Sequence, residues 1–261
     1  MRLHRTIGLD KEQLDELQEL VEDELPEPWN KSIGRPRELS LREAITIAVA
    51  YLRRNIVQDV LADIFGVSQR MISETITTLT PVISRAMEPE VRSADEAAEY
   101  VKGARCLVDG SLAPCWSWAG QRQLWSGKHG TTGHNFQVIT DMAGNVIAIS
   151  APFAGSWHDV HALNESGFTD LLALAGTTFG DKGYAGRGFI TPMRKPPGGE
   201  LLLREHELNA EIASLRAPVE RAIANVKAWR ILHTDYRRPL PTFLDSFTAA
   251  IGLYFFKLSF G

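Results

Sequence analysis

Four acidic residues beyond residue 100 have the types and sequence positions to bind metal ions. They are Asp109 in "CLVDGS", Asp159 in "FAGSWHDVHAL", Asp181 in "TTFGDKGYAG" and Glu220 in "RAPVERAIANVKAWRIL". Carboxylate oxygens are the ligands that Mg²⁺ and Mn²⁺ prefer. Two such ions can activate a water or a 3′-hydroxyl and stabilise the leaving oxygen of a phosphodiester. Three carboxylates suffice for this chemistry if they converge from different elements.

The elements that must position these acids form an α/β pattern. "ARCLVDGS", "HNFQVITD", "NVIAISAPF" and "TTFGD" are strand-like, and "MAG" joins the middle two as a hairpin. A helical segment precedes the last strand and further helices follow it, which predicts a mixed sheet covered by helices. Asp109 and Asp181 both end predicted strands. If those strands are adjacent and parallel, the two carboxylates are neighbours.

Asp159 lies between two histidines, His158 and His161. A zinc site would need further soft ligands nearby, so zinc is the minor interpretation. Ser156 is predicted to cap a helix with Asp159 at its third position, which favours a structural role. A helix that starts at the sheet edge could also direct this carboxylate at a metal, and both roles stay open.

Glu220 follows Pro218, which suits the first turn of a helix. Lys227 lies two helical turns later, so that an acid and a base project from the same face. This face would suit a metal ion and a nucleic-acid phosphate. The alternative is a surface helix on which Arg216 and Glu220 form an ordinary ion pair.

The N-terminal part is predicted to be helical throughout. Residues 1–38 contain an acidic amphipathic helix and a proline-containing linker, and residues 39–90 contain three helices. The last two helices are separated by "GVS", as in a DNA-binding helix-turn-helix, in which Gly66 turns the chain and Ser68 caps the second helix. Three side chains of that helix are predicted to face DNA: Gln69, Arg70 and Ser73. The alternative is a plain three-helix packing unit.

Charge and composition limit the function classes. The net charge of −4 argues against a chain that coats nucleic acid non-specifically. Residues 182–238 nevertheless hold 11 Lys or Arg against 6 Asp or Glu, and a locally basic face can bind phosphate. The two cysteines fit neither a zinc site nor a secreted framework. No signal peptide or membrane span is predicted.

The motifs "LVDGS", "GHNFQVITD", "GNVIAISAPFAGSWHD", "GDKGYAG" and "RAPVERAIANVKAWRIL" occur in one order. Together they resemble the DDE-type insertion-sequence transposases of the Harbinger-like group. The resemblance implies a ribonuclease-H-like catalytic domain over residues 100–261 that uses Mg²⁺ or Mn²⁺. It makes Asp109 the first acid and Glu220 the last. Asp181 is the preferred middle acid, with Asp159 as a possible fourth ligand or substitute.

The resemblance also implies partners. The expected partner is double-stranded DNA, at the terminal inverted repeats of a mobile element and at the target, bound by a homodimer or a larger synaptic complex. Lys128, Arg221 and Lys227 are expected at phosphates. Trp116, Trp118, Trp125 and Tyr184 could stack on unpaired bases, with ordinary packing as the alternative. A cytoplasmic, nucleoid-associated bacterial enzyme is expected, and the alternative function is an inactive relative that regulates through its helix-turn-helix.

Overall fold

The computed structural model describes residues 4–30, 37–116 and 120–260. The chain divides into two compact units. One unit contains residues 1–91 together with 227–261, and the other contains residues 92–226. The sequence placed everything from residue 100 in one domain, whereas the structure groups the C-terminal segment with the N-terminal helices.

The described residues contain ten α-helices. In chain order they are α1 (His4–Ile7), α2 (Lys11–Asp23), α3 (Leu41–Arg54), α4 (Gln58–Phe65), α5 (Gln69–Ala86), α6 (Ala94–Val101), α7 (Asp159–Glu165), α8 (Phe168–Ala173), α9 (Leu203–Val226) and α10 (Phe243–Ser259). No described helix is long and apolar enough to cross a lipid bilayer.

The first unit is helical, and its core explains why the C-terminal segment belongs to it. Helix α10 packs on α3 and α5 and buries most of its apolar side chains there. Gly252 lets α10 approach closely, because a Cβ at this position would overlap Cβ of Met87. A capping box starts α3, where Ser40 and Glu43 exchange hydrogen bonds.

Helices α4 and α5 are joined by the short turn that the sequence predicted. Gly66 ends α4 in the left-handed conformation, at φ 68°, which glycine adopts without strain. Ser68 then caps α5 by accepting a hydrogen bond from the Met71 amide. Ile72 and Ile76 of α5 are fully buried, and their spacing of four residues places them on one face of the helix.

The second unit is built on a mixed sheet. Its described strands are β1 (Arg105–Pro114), β2 (Trp125–Ser126), β3 (Thr131–Asp141), β4 (Val146–Ile149), β5 (Phe153–Ala154) and β6 (Thr177–Phe179). Strand β1 pairs antiparallel with β3 and parallel with β6, while β2, β4 and β5 all pair with β3. The predicted β3–β4 hairpin is confirmed. Asp141 closes its turn by accepting from the Ala143 and Asn145 amides.

The two faces of β1 pack against different helices. Val108 belongs to an apolar cluster with Leu163 of α7, and Leu107 packs with Val219 of α9. Because successive side chains of a strand point to opposite faces, Asp109 lies on the α9 face and Gly110 on the α7 face.

Three details of the predicted helices are wrong. The helix expected after Asp159 is interrupted at Gly167, which adopts φ 75° and separates α7 from α8. Pro218 is not in a first turn, because α9 begins at Leu203 and contains it. Helix α9 also ends at Val226, so Lys227 lies in a turn rather than on a helical stripe with Glu220.

Candidate active site

Asp109 is the centre of the acidic site in the second unit. It lies within β1 rather than at its end, because the ladder with β3 continues to Pro114. Its carboxylate accepts a hydrogen bond from the Gly110 amide, and its Oδ2 lies 2.8 Å from Nη2 of Arg216 on α9. Both side chains are largely buried. Arg216 therefore pairs with Asp109 and connects α9 to the sheet, instead of forming the alternative ion pair with Glu220.

Burial raises the pKa of Asp109 to about 6. The guanidinium of Arg216 opposes this rise, and the negative charge of Asp181 adds to it. The Asp109 carboxyl is therefore held where its charged form is disfavoured, as is common at functional sites.

Asp181 follows β6 by two residues, beside the strand that carries Asp109. Strands β1 and β6 are adjacent and parallel, with Leu107 opposite Phe179, so the condition under which Asp109 and Asp181 are neighbours is met. One carboxylate oxygen of Asp181 accepts from the Gly183 amide and closes the 3-10 turn Lys182–Tyr184. The other lies 3.8 Å from Nζ of Lys128.

Asp159 is held on the other face of β1. Its Oδ1 accepts from Nδ2 of Asn135 at 3.1 Å, and its Oδ2 lies 2.7 Å from Nζ of Lys128. The predicted cap is wrong: α7 begins at Asp159, its N-cap is His158, and no side chain caps it. The carboxylate of Asp159 is turned away from the helix amides because Asn135 and Lys128 bind it.

Lys128 connects the two later acids. Burial acts to lower its pKa, but the hydrogen bond and charge of Asp159, together with the charge of Asp181, outweigh burial and raise the pKa. The ammonium therefore stays charged between the two carboxylates. Local sequence patterns could not reveal the contact between Lys128 and Asp159, because the two residues are 31 positions apart in the chain.

The last predicted acid lies beside this cluster on α9. Glu220 is exposed and lies one turn after Arg216, so the two residues share one helical face. Arg221 is also exposed, whereas Lys227 is half-buried in the other unit. Among the described residues, no three His, Cys, Asp or Glu side chains are close enough to hold one metal ion. Asp159 and Asp181 share Lys128, and the charge of Asp181 acts on Asp109.

The candidate DNA-facing side chains are partly where the sequence expected them. Gln69 and Arg70 are exposed on α5, and Ser73 is half-buried. Trp116 and Trp125 are exposed, but Tyr184 is fully buried, so it is excluded as a surface on which bases stack. Trp118 lies outside the described residues.

Sequence reasoning missed the residue that makes room for Asp159. A Cβ at Gly110 would overlap Oδ1 of Asp159 and lie 2.9 Å from Nε2 of Gln137. We expect Gly110→Ala to destabilise the protein by about 1–3 kcal/mol, because the added methyl overpacks the site. Thermal unfolding measures this loss. Gly127→Ala is the matched control, because a Cβ there meets open space. Equal melting temperatures for the two variants would contradict the close approach of Asp159 to β1.

Comparison with known proteins identifies the family. The family model described as "DDE superfamily endonuclease" matches residues 108–254, which include all four acids. The chain is 31% identical over 201 residues to a putative transposase for insertion sequence element IS112 of Streptomyces albus G, covering 76% of this chain and 73% of that protein. It is 22% identical over 267 residues to a probable transposase for insertion sequence element IS702 of Microchaete diplosiphon, covering 99% and 95%. No solved structure gave a significant match.

The family match covers more than half of the chain, and its first residue immediately precedes Asp109. The chain therefore belongs to the DDE superfamily of endonucleases, as a DDE-type transposase.

Proposed function

We propose that this chain binds the terminal inverted repeats of a mobile element and catalyses Mg²⁺-dependent strand cleavage followed by strand transfer to target DNA. The observation that carries the proposal is the position of Asp109 and Asp181 on adjacent parallel strands, close enough for the charge of one to shift the pKa of the other. A ribonuclease-H-like fold for residues 92–226 is part of the proposal. It is supported by a mixed sheet in which β1 lies between an antiparallel and a parallel neighbour.

The donor chemistry of the site fits a divalent ion, which the family requires. Asp109 and Asp181 offer hard carboxylate oxygens, and their charge is balanced here by Arg216 and Lys128. We assign Asp109, Asp181 and Glu220 as the residues that would hold Mg²⁺ or Mn²⁺, with Asp159 in a supporting position. When bound, such ions activate the attacking oxygen and stabilise the leaving oxygen.

The basic side chains of this site have a separate role in the proposal. Arg216 keeps the carboxylate of Asp109 oriented on the α9 face, and Lys128 offers an ammonium beside Asp159 and Asp181. A phosphodiester at the acids would meet Lys128, while Arg221 and Lys227 would contact phosphates farther along the strand. Such contacts make DNA binding weaken as the salt concentration rises.

Recognition of the element ends is assigned to α4 and α5 as a helix-turn-helix. The supporting features are the left-handed Gly66, the Ser68 cap and the exposed Gln69 and Arg70. A homodimer or larger synaptic complex would bring two ends together. We place this enzyme in the bacterial cytoplasm at the nucleoid, where its double-stranded DNA substrate lies.

Replacement of Arg70 tests the recognition helix. We expect Arg70→Ala to weaken binding to duplex DNA from the regions that flank the gene by about tenfold or more, since a contact to a base edge contributes roughly 1–3 kcal/mol. The melting temperature should hardly change, because the Arg70–Glu74 pair is exposed. Fluorescence anisotropy measures the affinity, and Lys102→Ala, an exposed change in the other unit, is the control. Equal affinities of Arg70→Ala and wild type would contradict the assignment.

A cleavage assay on the same flanking DNA separates the proposal from a regulator with an inert catalytic unit. Wild type should nick this DNA in Mg²⁺ or Mn²⁺ and remain inactive in EDTA. DNA binding without cleavage in either metal would favour the regulator. Inverted repeats around the gene would independently support a mobile element.

A further inference from the structure

A chain of buried polar side chains leads from Tyr184 to Asp159 on the α7 face of the sheet. The Tyr184 hydroxyl donates to Oε1 of Gln137, and Nε2 of Gln137 donates to Oδ1 of Asn135 at 2.9 Å. Nδ2 of Asn135 then donates to Oδ1 of Asp159 at 3.1 Å. Tyr184 and Gln137 are fully buried, and Asn135 is 7% exposed. A buried polar chain of this length must be fully paired to be tolerated.

The direction of these hydrogen bonds is set from the tyrosine end. Tyr184 lies in an apolar cluster, and burial raises its pKa well above 10, so its hydroxyl keeps the proton and donates it to the carbonyl oxygen of Gln137. The Gln137 amide must then turn its NH₂ group toward Asn135. Asn135 consequently turns its own NH₂ group toward Asp159, where a carboxylate can only accept.

Strands β1 and β3 and the segment before Asp159 hold this row of hydrogen-bonded side chains in place. Asn135 and Gln137 are two residues apart on β3 and share a face, and Gln137 pairs with Gly110 of β1. Since Gly110 has no side chain, Asp159 can lie against the strand beside Gln137. Asn135 also donates to the Trp157 carbonyl, which fixes the segment that precedes Asp159.

We infer that Tyr184, Gln137 and Asn135 are positioning residues that orient the carboxylate of Asp159 and, through it, the ammonium of Lys128. The inference rests on the proposed function for its kinetic consequence, but the orientation itself is independent of activity. These residues touch neither metal nor DNA in this assignment. They act by presenting a donor, instead of a carbonyl oxygen, to Asp159.

Side-chain NMR tests the orientation directly in the full chain. The Asn135 and Gln137 amide groups should give resolved, slowly exchanging signals in wild type. Tyr184→Phe keeps the ring but removes the donor, and it should shift or broaden the Asn135 signal although the two residues have no direct contact in the chain of bonds. Thr140→Val is the matched control, because Thr140 is buried on the same strand and donates to the Asp141 carbonyl. An unchanged Asn135 signal in Tyr184→Phe would overturn the inference.

Kinetics test the consequence of that orientation. Tyr184→Phe should lower kcat for cleavage by about tenfold with KM for DNA unchanged, as expected for one lost buried hydrogen bond. Gln137→Glu cannot donate to Asn135 and should lower kcat by more. In an Asp159→Ala background, Tyr184→Phe should cause no further loss, because the two changes remove the same effect.

The outcomes distinguish the two proposals. The positioning role would be overturned if the kcat losses of Asp159→Ala and Tyr184→Phe multiply in the double variant. It would also be overturned if Thr140→Val lowers kcat as much as Tyr184→Phe does. If wild type cleaves no DNA, the proposed function fails, and the NMR comparison still decides whether Tyr184 orients Asn135.

Discussion

Asp109→Asn is expected to lower the rate of DNA cleavage by about 1,000-fold and, at the same time, to stabilise the folded protein above pH 6. The activity loss follows from removing a carboxylate that would hold a metal ion, which contributes several kcal/mol to the transition state. Asparagine nearly preserves the volume of the side chain. Its single carbonyl oxygen can keep one of the two hydrogen bonds, from Arg216 or from the Gly110 amide, because these donors bind different oxygens of Asp109 and an NH₂ group cannot accept.

The stability gain follows from the raised pKa of Asp109, about 6 in the folded chain against an ordinary value of 3.8. As pH rises through this interval, the unfolded chain loses the proton first, so the stability of the folded state falls between about pH 4 and pH 6. The two-unit difference corresponds to about 3 kcal/mol. Asparagine carries no charge and avoids this cost, so the variant should gain most at pH 8 and little at pH 4.

Denaturant unfolding in EDTA at pH 4.5 and pH 8 measures this effect, and cleavage of the flanking DNA with Mg²⁺ measures activity. Asp170→Asn is the control, because Asp170 is an exposed aspartate in the same unit. It should change neither property. A stability difference between the variant and wild type that is equal at pH 4.5 and pH 8 would contradict the raised pKa of Asp109. A variant that is stable and fully active would contradict the role of Asp109 in catalysis.

Local sequence patterns were sufficient to predict the main strands and the β3–β4 hairpin. The alternation of apolar residues, the turn at Asp141 and the parallel adjacency of β1 and β6 are all present. The sequence order of strand, hairpin, helix and strand constrains how these segments can pair in one sheet. Asp109 and Asp181 could be predicted as neighbours only on the condition that their strands pair in parallel, and the spacing of the residues does not show that pairing.

Contacts between distant segments could not be predicted in this way. The Arg216–Asp109 pair joins residues 107 positions apart, and the local i,i+4 rule favoured Glu220 as the partner of Arg216 instead. Ser156 has the correct residue type for a cap, but Asn135 and Lys128 fix the segment differently. The sequence of β3 does indicate the buried polar residues. Asn135 and Gln137 are polar, they are two positions apart in an otherwise largely apolar strand, and such spacing places both on one face.

The identity of the middle acid gives the second large expected effect. Asp181→Asn should lower cleavage by about 1,000-fold, whereas Asp159→Asn should lower it by roughly tenfold, as for a lost orienting hydrogen bond. The charge of Asp181 contributes to the pKa of Asp109. The two residues belong to adjacent parallel segments, with Asp109 inside β1 and Asp181 two residues after β6. Asp159 lies instead against Gly110, on the opposite face of β1.

The two substitutions should also differ in their effect on stability. Asp181 is partly exposed, and the carbonyl oxygen of an asparagine can still accept the hydrogen bond from the Gly183 amide. Asp181→Asn should therefore unfold close to the wild-type temperature. Asp159 is largely buried and binds Asn135, so Asp159→Asn should cost about 1–3 kcal/mol by leaving buried groups poorly paired. The large loss of activity is thus expected in Asp181→Asn, and the loss of stability in Asp159→Asn.

Cleavage rates over a Mg²⁺ titration, measured beside thermal unfolding, decide the assignment. A metal ligand should shift the Mg²⁺ dependence, and a residue that orients Lys128 should lower the maximal rate with little shift. Lys128→Gln tests whether Asp159 acts through Lys128. This variant should reproduce the kinetic defect of Asp159→Asn while leaving Asn135 hydrogen-bonded to Asp159. If Asp159→Asn abolishes cleavage at unaltered stability while Asp181→Asn still cuts, then Asp159 is the middle acid. In that case the metal would take the place of the Lys128 ammonium, which lies 2.7 Å from Oδ2 of Asp159 and 3.8 Å from Oδ2 of Asp181.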